Sequence, residues 1–210
     1  MKKILPVISS TLILFSFQLT DAKERFGILL DLGHTVAMND HLKQATAGGK
    51  TSFGLGFEYI LGTLGRKSHS AFLLGFQVGS LSFKGNSVTF AADPGGMKTL
   101  PLTSDWDWTA GIAYLKVLID RSIVTPFMKM GIGTYHLNLV DFTDGGSRKI
   151  SENYAGVNVG GGLEFSLRHF ALFAEIEDNF LFDPGLKPPE ALQVGSSVIL
   201  NPKIGVVFRF

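Results

Sequence analysis

Three features of the sequence predict an all-β fold, an eight-stranded antiparallel up-and-down transmembrane β-barrel. Apolar residues alternate with glycine or polar residues in eight separate stretches, which is the pattern of a strand with two unlike faces. No stretch between them has the periodicity of a helix. The connections alternate between long and short, as in membrane barrels with long loops on one side and short turns on the other. A chain of 210 residues suits one such domain.

The composition argues against several classes of function. Only 18% of the residues are charged and the net charge is +1, so no basic surface for nucleic acid is expected. The chain has no cysteine, which excludes disulfides and cysteine-ligated metals. The histidines do not have the spacing of metal ligands; they are His34, His41, His69, His136 and His169. We therefore expect no nucleic-acid partner, no metal and no cofactor.

The N-terminus has the pattern of a secretory signal. Two lysines precede an apolar run over residues 4–17, which is shorter than the roughly 20 residues that a membrane-spanning helix needs. Thr20 and Ala22 place small residues at the two positions that a signal peptidase reads. This pattern predicts a cleaved signal peptide at residues 1–22 and a barrel at residues 23–210. The alternative is an N-terminal anchor helix.

The first three predicted strands lie at residues 25–36, 52–61 and 72–79. A polar segment containing Gly48 and Gly49 separates the first two strands, and a short connection follows the second. Each strand carries large apolar residues at every second position, with mostly glycine or polar residues between them. These apolar positions are Phe26, Ile28, Leu30 and Leu32, then Phe53, Leu55 and Phe57, then Phe72, Leu74, Phe76 and Val78.

The fourth and fifth predicted strands lie at residues 106–114 and 128–140, with a short connection between them. Long connections rich in turn-forming residues flank this pair, at 84–105 and 141–153. The fifth strand loses its clear alternation from residue 135 onward. In the fourth strand one face carries Trp106, Trp108, Ala110, Ile112 and Tyr114, and the other carries Asp107, Thr109, Gly111 and Ala113.

The last three predicted strands lie at residues 157–168, 172–180 and 198–210. A brief corner joins the sixth to the seventh, and a long proline-bearing loop precedes the eighth. The eighth strand alternates throughout and ends the sequence on an aromatic residue, Phe210. An even number of strands places both ends of the barrel on the same side of a membrane.

Volume decides which face of these strands points outward. The interior of an eight-stranded barrel is only wide enough for side chains, so the large apolar residues are expected to face lipid. Bulky rings near strand ends then predict an aromatic girdle at the membrane interfaces. The girdle residues are Tyr59, Trp106, Trp108, Phe165, Phe208 and Phe210.

The opposite faces bring charges of both signs into the lumen. Because unpaired charges are unfavourable there, their near balance predicts a network of ion pairs that fills the barrel. The predicted lumen charge network is Asp31, Glu58, Lys129, Glu164, Glu175, Glu177, Lys203 and Arg209. The same alternation places Arg25, Asp107 and Arg168 inside. The rival interpretation of these charges is a polar path for ions or small solutes.

The last residues of the chain resemble the C-terminal assembly signal of bacterial outer-membrane barrels, with Phe210 at the end, Phe208 two residues before it, and apolar Val206 and Ile204 preceding. Over residues 23–210 the chain resembles the small eight-stranded barrels of the OmpA/OmpX kind. The resemblance implies the bacterial outer membrane with both termini in the periplasm. It implies contact with outer-membrane lipid, lipopolysaccharide and the barrel-assembly machinery, and a surface ligand or host partner of unknown identity.

The function this implies is a structural or surface-interaction role through the external loops, with the lumen plugged by charged side chains. A narrow channel, a lipid A-modifying enzyme and a secreted lipocalin-like binder are the alternatives. Some outer-membrane barrels that modify lipid A use a histidine and a serine near the outer rim. Here His136 lies near the external end of the fifth strand, but Asn138 rather than serine stands two residues on. Glu175 and Glu177 could form an acid–base pair, but no nucleophile accompanies them. We expect no catalytic residues and no enzyme.

Overall fold

The structure is a computed structural model that describes residues 25–63, 70–85, 87–92, 96–101, 105–120, 122–143, 146–167, 169–182 and 196–210. The predicted signal peptide lies outside the described residues.

The described residues form twelve strands and one short helix. In chain order the elements are β1 (Phe26–His34), β2 (Val36–Ala37), α1 (Asp40–Ala45), β3 (Thr46–Gly49), β4 (Thr51–Thr63), β5 (Ala71–Gly85), β6 (Ser87–Ala92), β7 (Gly96–Pro101), β8 (Trp106–Leu118), β9 (Val124–Thr143), β10 (Gly146–Ser166), β11 (Phe170–Phe182) and β12 (Ser197–Arg209). Within this described part, no helix is long and apolar enough to cross a membrane.

Eight of the strands close into an antiparallel barrel. Each of β1, β4, β5, β8, β9, β10, β11 and β12 pairs with the next, and β12 pairs back with β1. At the seam, Ile28 lies opposite Phe208, and the backbone N–H of Phe210 donates to the carbonyl of Phe26 over 2.8 Å. Closure pairs the backbone groups of every barrel strand, which is what a strand in lipid requires. The predicted eight-stranded antiparallel barrel is confirmed.

The two ends of the barrel differ. At the turn end lie residues 25 and 210 and the connections after β4, β8 and β10. At the loop end lie the connections after β1, β5, β9 and β11. Two of the predicted long loops contain regular structure that the sequence did not reveal: the first holds β2, α1 and β3, and the second holds the β6–β7 hairpin.

The predicted connection at 141–153 is wrong, because β9 and β10 pair without interruption from the turn end to Gly146, which lies opposite Thr143. These strands reach beyond the last residues that pair with β8 and β11, Asn138 and Ala155. A hairpin that rises past the rim has neither lumen nor lipid to divide its faces, so period-two alternation is not required of it.

Most strands follow the predicted division of faces. On the outer wall, large apolar residues such as Met130, Ile132 and Ile204 are about two-thirds exposed, at 64%, 69% and 66%. Of the predicted girdle, Tyr59 is half-buried while Phe165, Phe208 and Phe210 are exposed, and all four lie toward the turn end. The outer wall is therefore a continuous apolar surface of the kind that faces lipid.

The prediction for β8 is wrong. Trp106 and Trp108 point into the barrel and are 0% and 1% exposed, while Asp107 between them is exposed on the outside. The inward set continues through Tyr114 to Lys116, whose ammonium group contacts carboxylates in the lumen. Those polar contacts fix the orientation of the strand, and the two tryptophans lie on the same face as the lysine.

Apolar side chains consequently occupy both ends of the interior, with the charged residues between them. The loop-end cluster is Ala37, Leu42, Leu81, Phe83, Trp106, Trp108, Ala110, Ile112, Tyr114, Tyr135, Leu137, Tyr154, Leu181 and Ile199. The turn-end cluster is Leu29, Ile60, Ala71, Leu73, Leu118, Phe127, Phe173 and Val207. The expectation that large apolar side chains would overfill the lumen is wrong at these two levels.

Inward glycines make room for the large inward rings. A Cβ atom at Gly75 would lie only 2.6 Å from the hydroxyl oxygen of Tyr114, and one at Gly205 would lie 2.5 Å from the ring of Phe173. On the outer face, a Cβ atom at Gly111 would meet nothing closer than the hydroxyl of Thr134 at 3.7 Å. The lumen thus accommodates these two aromatic residues because the neighbouring strand has a glycine at the position opposite each ring.

We predict that Gly75→Ala lowers the free energy of unfolding by about 1–3 kcal/mol, because the added methyl displaces the Tyr114 ring from a packed interior. Gly111→Ala is the matched control and should change it by less than about 0.5 kcal/mol. Urea titration of each variant folded into lipid vesicles measures the difference. Equal stability of the two variants would contradict the packing described for the interior.

Candidate functional site

The middle of the lumen holds a group of two lysines and two glutamates, here the first quartet: Lys129, Lys203, Glu175 and Glu177. All four side chains are at most 3% exposed. The ammonium of Lys129 lies 2.6 Å from Glu175 and also contacts Glu177, and that of Lys203 lies 2.7 Å from Glu177 and 3.8 Å from Glu175. Each cation therefore bridges both carboxylates, and the quartet is electrically balanced.

The second quartet lies nearer the turn end and consists of Glu58, Lys116, Glu164 and Arg209. Lys116 is 3.0 Å from both glutamates, and Arg209 is 2.5 Å from Glu164. The ammonium of Lys116 also lies 4.4 Å from the centre of the Phe127 ring, where the face of the ring attracts a cation. This quartet is also neutral.

Tyr114 links the two quartets. Its hydroxyl donates to Glu58 over 3.1 Å, and its ring lies 4.9 Å from the ammonium of Lys129. The packing of Tyr114, supported by the space at Gly75, therefore couples the charged layers to each other.

Neutral polar side chains complete this level of the interior. The amide of Gln77 donates to Asp31 over 2.7 Å, and the hydroxyl of Ser52 donates to Asn201 over 2.8 Å. A cavity of about 10 Å³, bordered by Asp31, Gln77 and Asn201 among others, is at the lower limit of what can hold one water molecule. Ion pairs, amides and hydroxyls thus occupy the section between the two apolar clusters.

At the loop end, the segment between β1 and β4 folds over the loop-end cluster. Leu42 of α1 is fully buried, and the hydroxyl of Thr46 donates to the Leu42 carbonyl over 2.8 Å. Outside this cover, Lys50 forms an exposed ion pair with Asp105 at 2.5 Å, and this hydrogen bond raises the pKa of Lys50.

No protein-family model matches the sequence, and a comparison with curated proteins finds no match. Among solved structures, the chain is similar to Neisserial surface protein A, with 16% identity and a TM-score of 0.54 over 88% of this chain and 97% of that one. It is also similar to a major outer membrane protein from Thermus thermophilus, with 14% identity and a TM-score of 0.50 over 89% of this chain and 99% of that one. The fold is that of a small bacterial outer-membrane β-barrel.

The eight members of the predicted lumen charge network are buried inside this outer-membrane barrel. Seven belong to the two quartets, and Asp31 is held by Gln77. Of the three further charges placed inside by alternation, Asp107 is on the outer face, Arg25 is half-buried, and the side chain of Arg168 is outside the described residues. Glu175 and Glu177 do lie side by side, but two lysines neutralise them.

Sequence reasoning missed Lys116, which contacts two carboxylates. The assignment of faces in the predicted fourth strand extends only to Tyr114, two residues short of Lys116, and so leaves out a lysine on the face assigned to lipid. Extending the alternation by two positions places Lys116 on the same face as Tyr114. A lysine on that face indicates that the face points into the lumen and not toward lipid.

The remaining predicted positions divide between the outer wall and its rim. Of the proposed assembly residues, Ile204, Phe208 and Phe210 are exposed on the outer wall of β12, and Val206 is half-buried. His136 is on the outer face of β9. The side chains within hydrogen-bond distance of its imidazole, Ser151 and Asn153, belong to β10. In the part of the chain that is described, no three His, Asp or Glu side chains are grouped so as to hold a metal ion.

We predict that Lys203→Met lowers the free energy of unfolding by about 3–5 kcal/mol, because the first quartet is left with an uncompensated buried negative charge. Adding Glu177→Gln should recover part of the loss, since it removes that charge. Lys50→Met removes an exposed ion pair and should have little effect. Urea titration in vesicles compares the three variants, and a Lys203→Met protein as stable as Lys50→Met would show that the quartet is not energetically coupled.

Proposed function

We propose that this protein is an integral outer-membrane barrel with a closed lumen, and that its role is structural and surface-interacting, carried by the loop end. The observation that carries the proposal is the content of the lumen. From the loop end to the turn end, an ion would meet the loop-end cluster, the first quartet, the second quartet and the turn-end cluster in turn.

Each of these layers opposes conduction for a physical reason. The apolar clusters offer no polar group to replace the water around an ion, so entering them carries a large desolvation penalty. In the quartets each cation already contacts carboxylates within 4 Å, so a passing ion would have to break existing pairs. The small cavity beside Asp31 has room for about one water molecule. These features support a plug rather than a pore.

The difference between the turn end and the loop end of the barrel supports an orientation in the membrane and a set of partners. The turn end, with the termini, faces the periplasm in this proposal, and the loop end, with α1, β6, β7 and the β9–β10 hairpin, faces outward. The apolar outer wall contacts outer-membrane lipid and lipopolysaccharide. Phe208 and Phe210 are exposed on the outer wall of the closed barrel. In this proposal the barrel-assembly machinery binds them before β12 pairs with β1. A surface ligand or host partner binds the loop end.

Purified protein reconstituted in planar lipid bilayers is predicted to give no steady conductance, because the lumen is closed at four successive levels. A general porin serves as the positive control, and a heat-modifiable folded band on a gel shows that the inserted protein is intact. Ion-selective conductance that changes in folded Lys203→Met would assign a narrow channel instead.

Labelling of single cysteines tests the orientation, because the natural chain contains none. Asp40→Cys places a thiol on exposed α1 at the loop end, and Ser122→Cys places one in an exposed turn at the other end. On intact cells a membrane-impermeant maleimide should label only Asp40→Cys, whereas after outer-membrane disruption both should react. Labelling of Ser122→Cys alone on intact cells would reverse the orientation.

A further inference from the structure

A serine, a histidine and an asparagine form a hydrogen-bonded chain on the outer face of the β9–β10 hairpin. The Nδ1 atom of His136 lies 2.7 Å from the side-chain oxygen of Asn153, and the hydroxyl of Ser151 lies 3.2 Å from the Nε2 atom of the same imidazole. His136 and Asn153 are directly opposite in the strand register, and Ser151 is two residues along β10 on the same face.

The burial pattern fixes this face as the outer one. Tyr135 and Leu137, on either side of His136, are buried in the barrel, as is Tyr154 on β10. Alternation therefore directs His136, Ser151 and Asn153 outward, where Ser151 and Asn153 are exposed and His136 is half-exposed. The regular strand pairing, rather than a loop, holds the three side chains together.

The direction of the hydrogen bonds determines what the imidazole can do. Because the amide oxygen of Asn153 is an acceptor, it favours the tautomer with the proton on Nδ1. The lone pair on Nε2 then points toward the hydroxyl of Ser151. A nucleophile, a general base and a group that orients the base are the three parts of nucleophilic acyl transfer.

We propose that Ser151, His136 and Asn153 form a hydrolytic site for the carboxylic esters of membrane lipids. Ser151 is the nucleophile, His136 is the general base and acid, and Asn153 is a positioning residue that holds the imidazole. Asn138 lies opposite Ser151 in the register, where its amide can donate to the oxyanion that forms on the substrate carbonyl. This activity goes beyond the surface role proposed above, and it departs from the expectation that the chain is not an enzyme.

The position of the site selects lipid esters over soluble ones. On β9 the outward residues below His136 are Thr134, then Ile132 and Met130, the last two among the most exposed apolar side chains of the wall. With a strand rise of about 3.4 Å per residue, His136 lies about 14 Å along the strand from Ile132. Ser151, opposite Asn138, lies two positions higher, about 20 Å along the strand from Ile132, and the tilt of the strands makes the difference in height smaller. In this proposal the serine meets the ester groups from above the apolar wall, while the acyl chains lie against that wall.

The polar character of this rim continues onto the adjacent strands. Thr109 of β8 is opposite His136, and Ser80 of β5 is opposite Thr109. A lipid headgroup or sugar bound here would meet hydroxyl and amide groups, while its acyl chains remained below. Two lipid sources carry the required ester at this level, a glycerophospholipid and the acylated sugar of lipopolysaccharide.

The reaction balances without a further reagent. The oxygen of Ser151 attacks the ester carbonyl carbon while its proton passes to Nε2 of His136, and the carbonyl electron pair moves to the oxygen. Collapse of this intermediate breaks the bond to the alcohol, which leaves with the proton from Nε2, and the acyl group stays on Ser151. Water then attacks the acyl carbon and gives a proton to Nε2, which returns it to the serine oxygen as the free fatty acid leaves.

The test uses the full-length protein in detergent micelles, with phosphatidylethanolamine in one arm and purified lipopolysaccharide in the other. Mass spectrometry of the released fatty acid measures the rate. We expect Ser151→Ala and His136→Ala to lower the rate by at least about 100-fold, which is the contribution of a nucleophile and its base. Ser122→Ala removes an exposed hydroxyl at the turn end, far from this rim, and should leave the rate unchanged.

Asn153 has its own readout. Asn153→Ala should lower kcat by about 10-fold or more with little change in KM, because it loosens the base without touching the lipid. Asn153→Asp keeps an acceptor for Nδ1 and should restore most of the rate. A fluorophosphonate probe should add one adduct to the wild-type protein, seen in its intact mass, and none to Ser151→Ala.

Each result of these assays either identifies the lipid substrate or overturns the proposed site. Release from phosphatidylethanolamine alone assigns a phospholipid, and release from lipopolysaccharide alone assigns its acylated sugar. Folded wild-type protein, identified by its heat-modifiable gel band, that releases fatty acid from neither lipid would overturn the site. Release that persists in Ser151→Ala would also overturn it. Neither result bears on the closed lumen, which the bilayer recordings test separately.

Discussion

The closure of eight strands is the constraint on which the rest of this structure depends. It fixes an interior so narrow that every inward side chain must fit those on the facing strands. The molecule meets this requirement in two ways. Some of the inward rings lie against a glycine on the neighbouring strand, as Tyr114 does against Gly75 and Phe173 does against Gly205. Where a charge points inward, opposite charges from other strands surround it, so that Lys116 lies between Glu58 and Glu164.

The buried quartets are better understood as devices for specificity than as sources of stability. A buried ion pair often contributes no more than a well-packed apolar pair would, but leaving one partner alone is strongly unfavourable. In a barrel this asymmetry disfavours strand pairings with a shifted register, because a slip by one residue turns every side chain of a strand to the opposite face. A slipped β11 would send Glu175 and Glu177 into lipid and leave Lys129 and Lys203 unpaired inside. The charges thus penalise the alternative closures that an alternating pattern alone would tolerate.

The same reasoning explains which parts of the fold the sequence could predict. In β1, β4 and β12 one face is large and apolar and the other is mostly glycine or polar, with Leu29, Ile60, Ile199 and Val207 as the exceptions, so the pattern favours one orientation. Eight strands with long and short connections follow. In β8 both faces carry apolar residues, with Ile112 inside and Leu115 outside, and Lys116 alone distinguishes them.

The relation between His136 and Ser151 was beyond prediction for a different reason. It depends on the register between strands, and the composition of 141–153 predicts a loop, which gives His136 no partner on the next strand.

Filling the lumen also determines where chemistry can take place in this molecule. Inside, side chains are committed to packing and charge balance, and on the wall below the rim they must be apolar. The outer face above the apolar belt is free of both requirements, and there Thr109, His136, Asn138, Ser151 and Asn153 are gathered. Because β9 and β10 continue as paired strands past the rim, this polar face is carried by regular sheet, which holds side chains more accurately than a loop does. The extension of this hairpin gives the outer rim the rigidity that the proposed hydrolytic site requires.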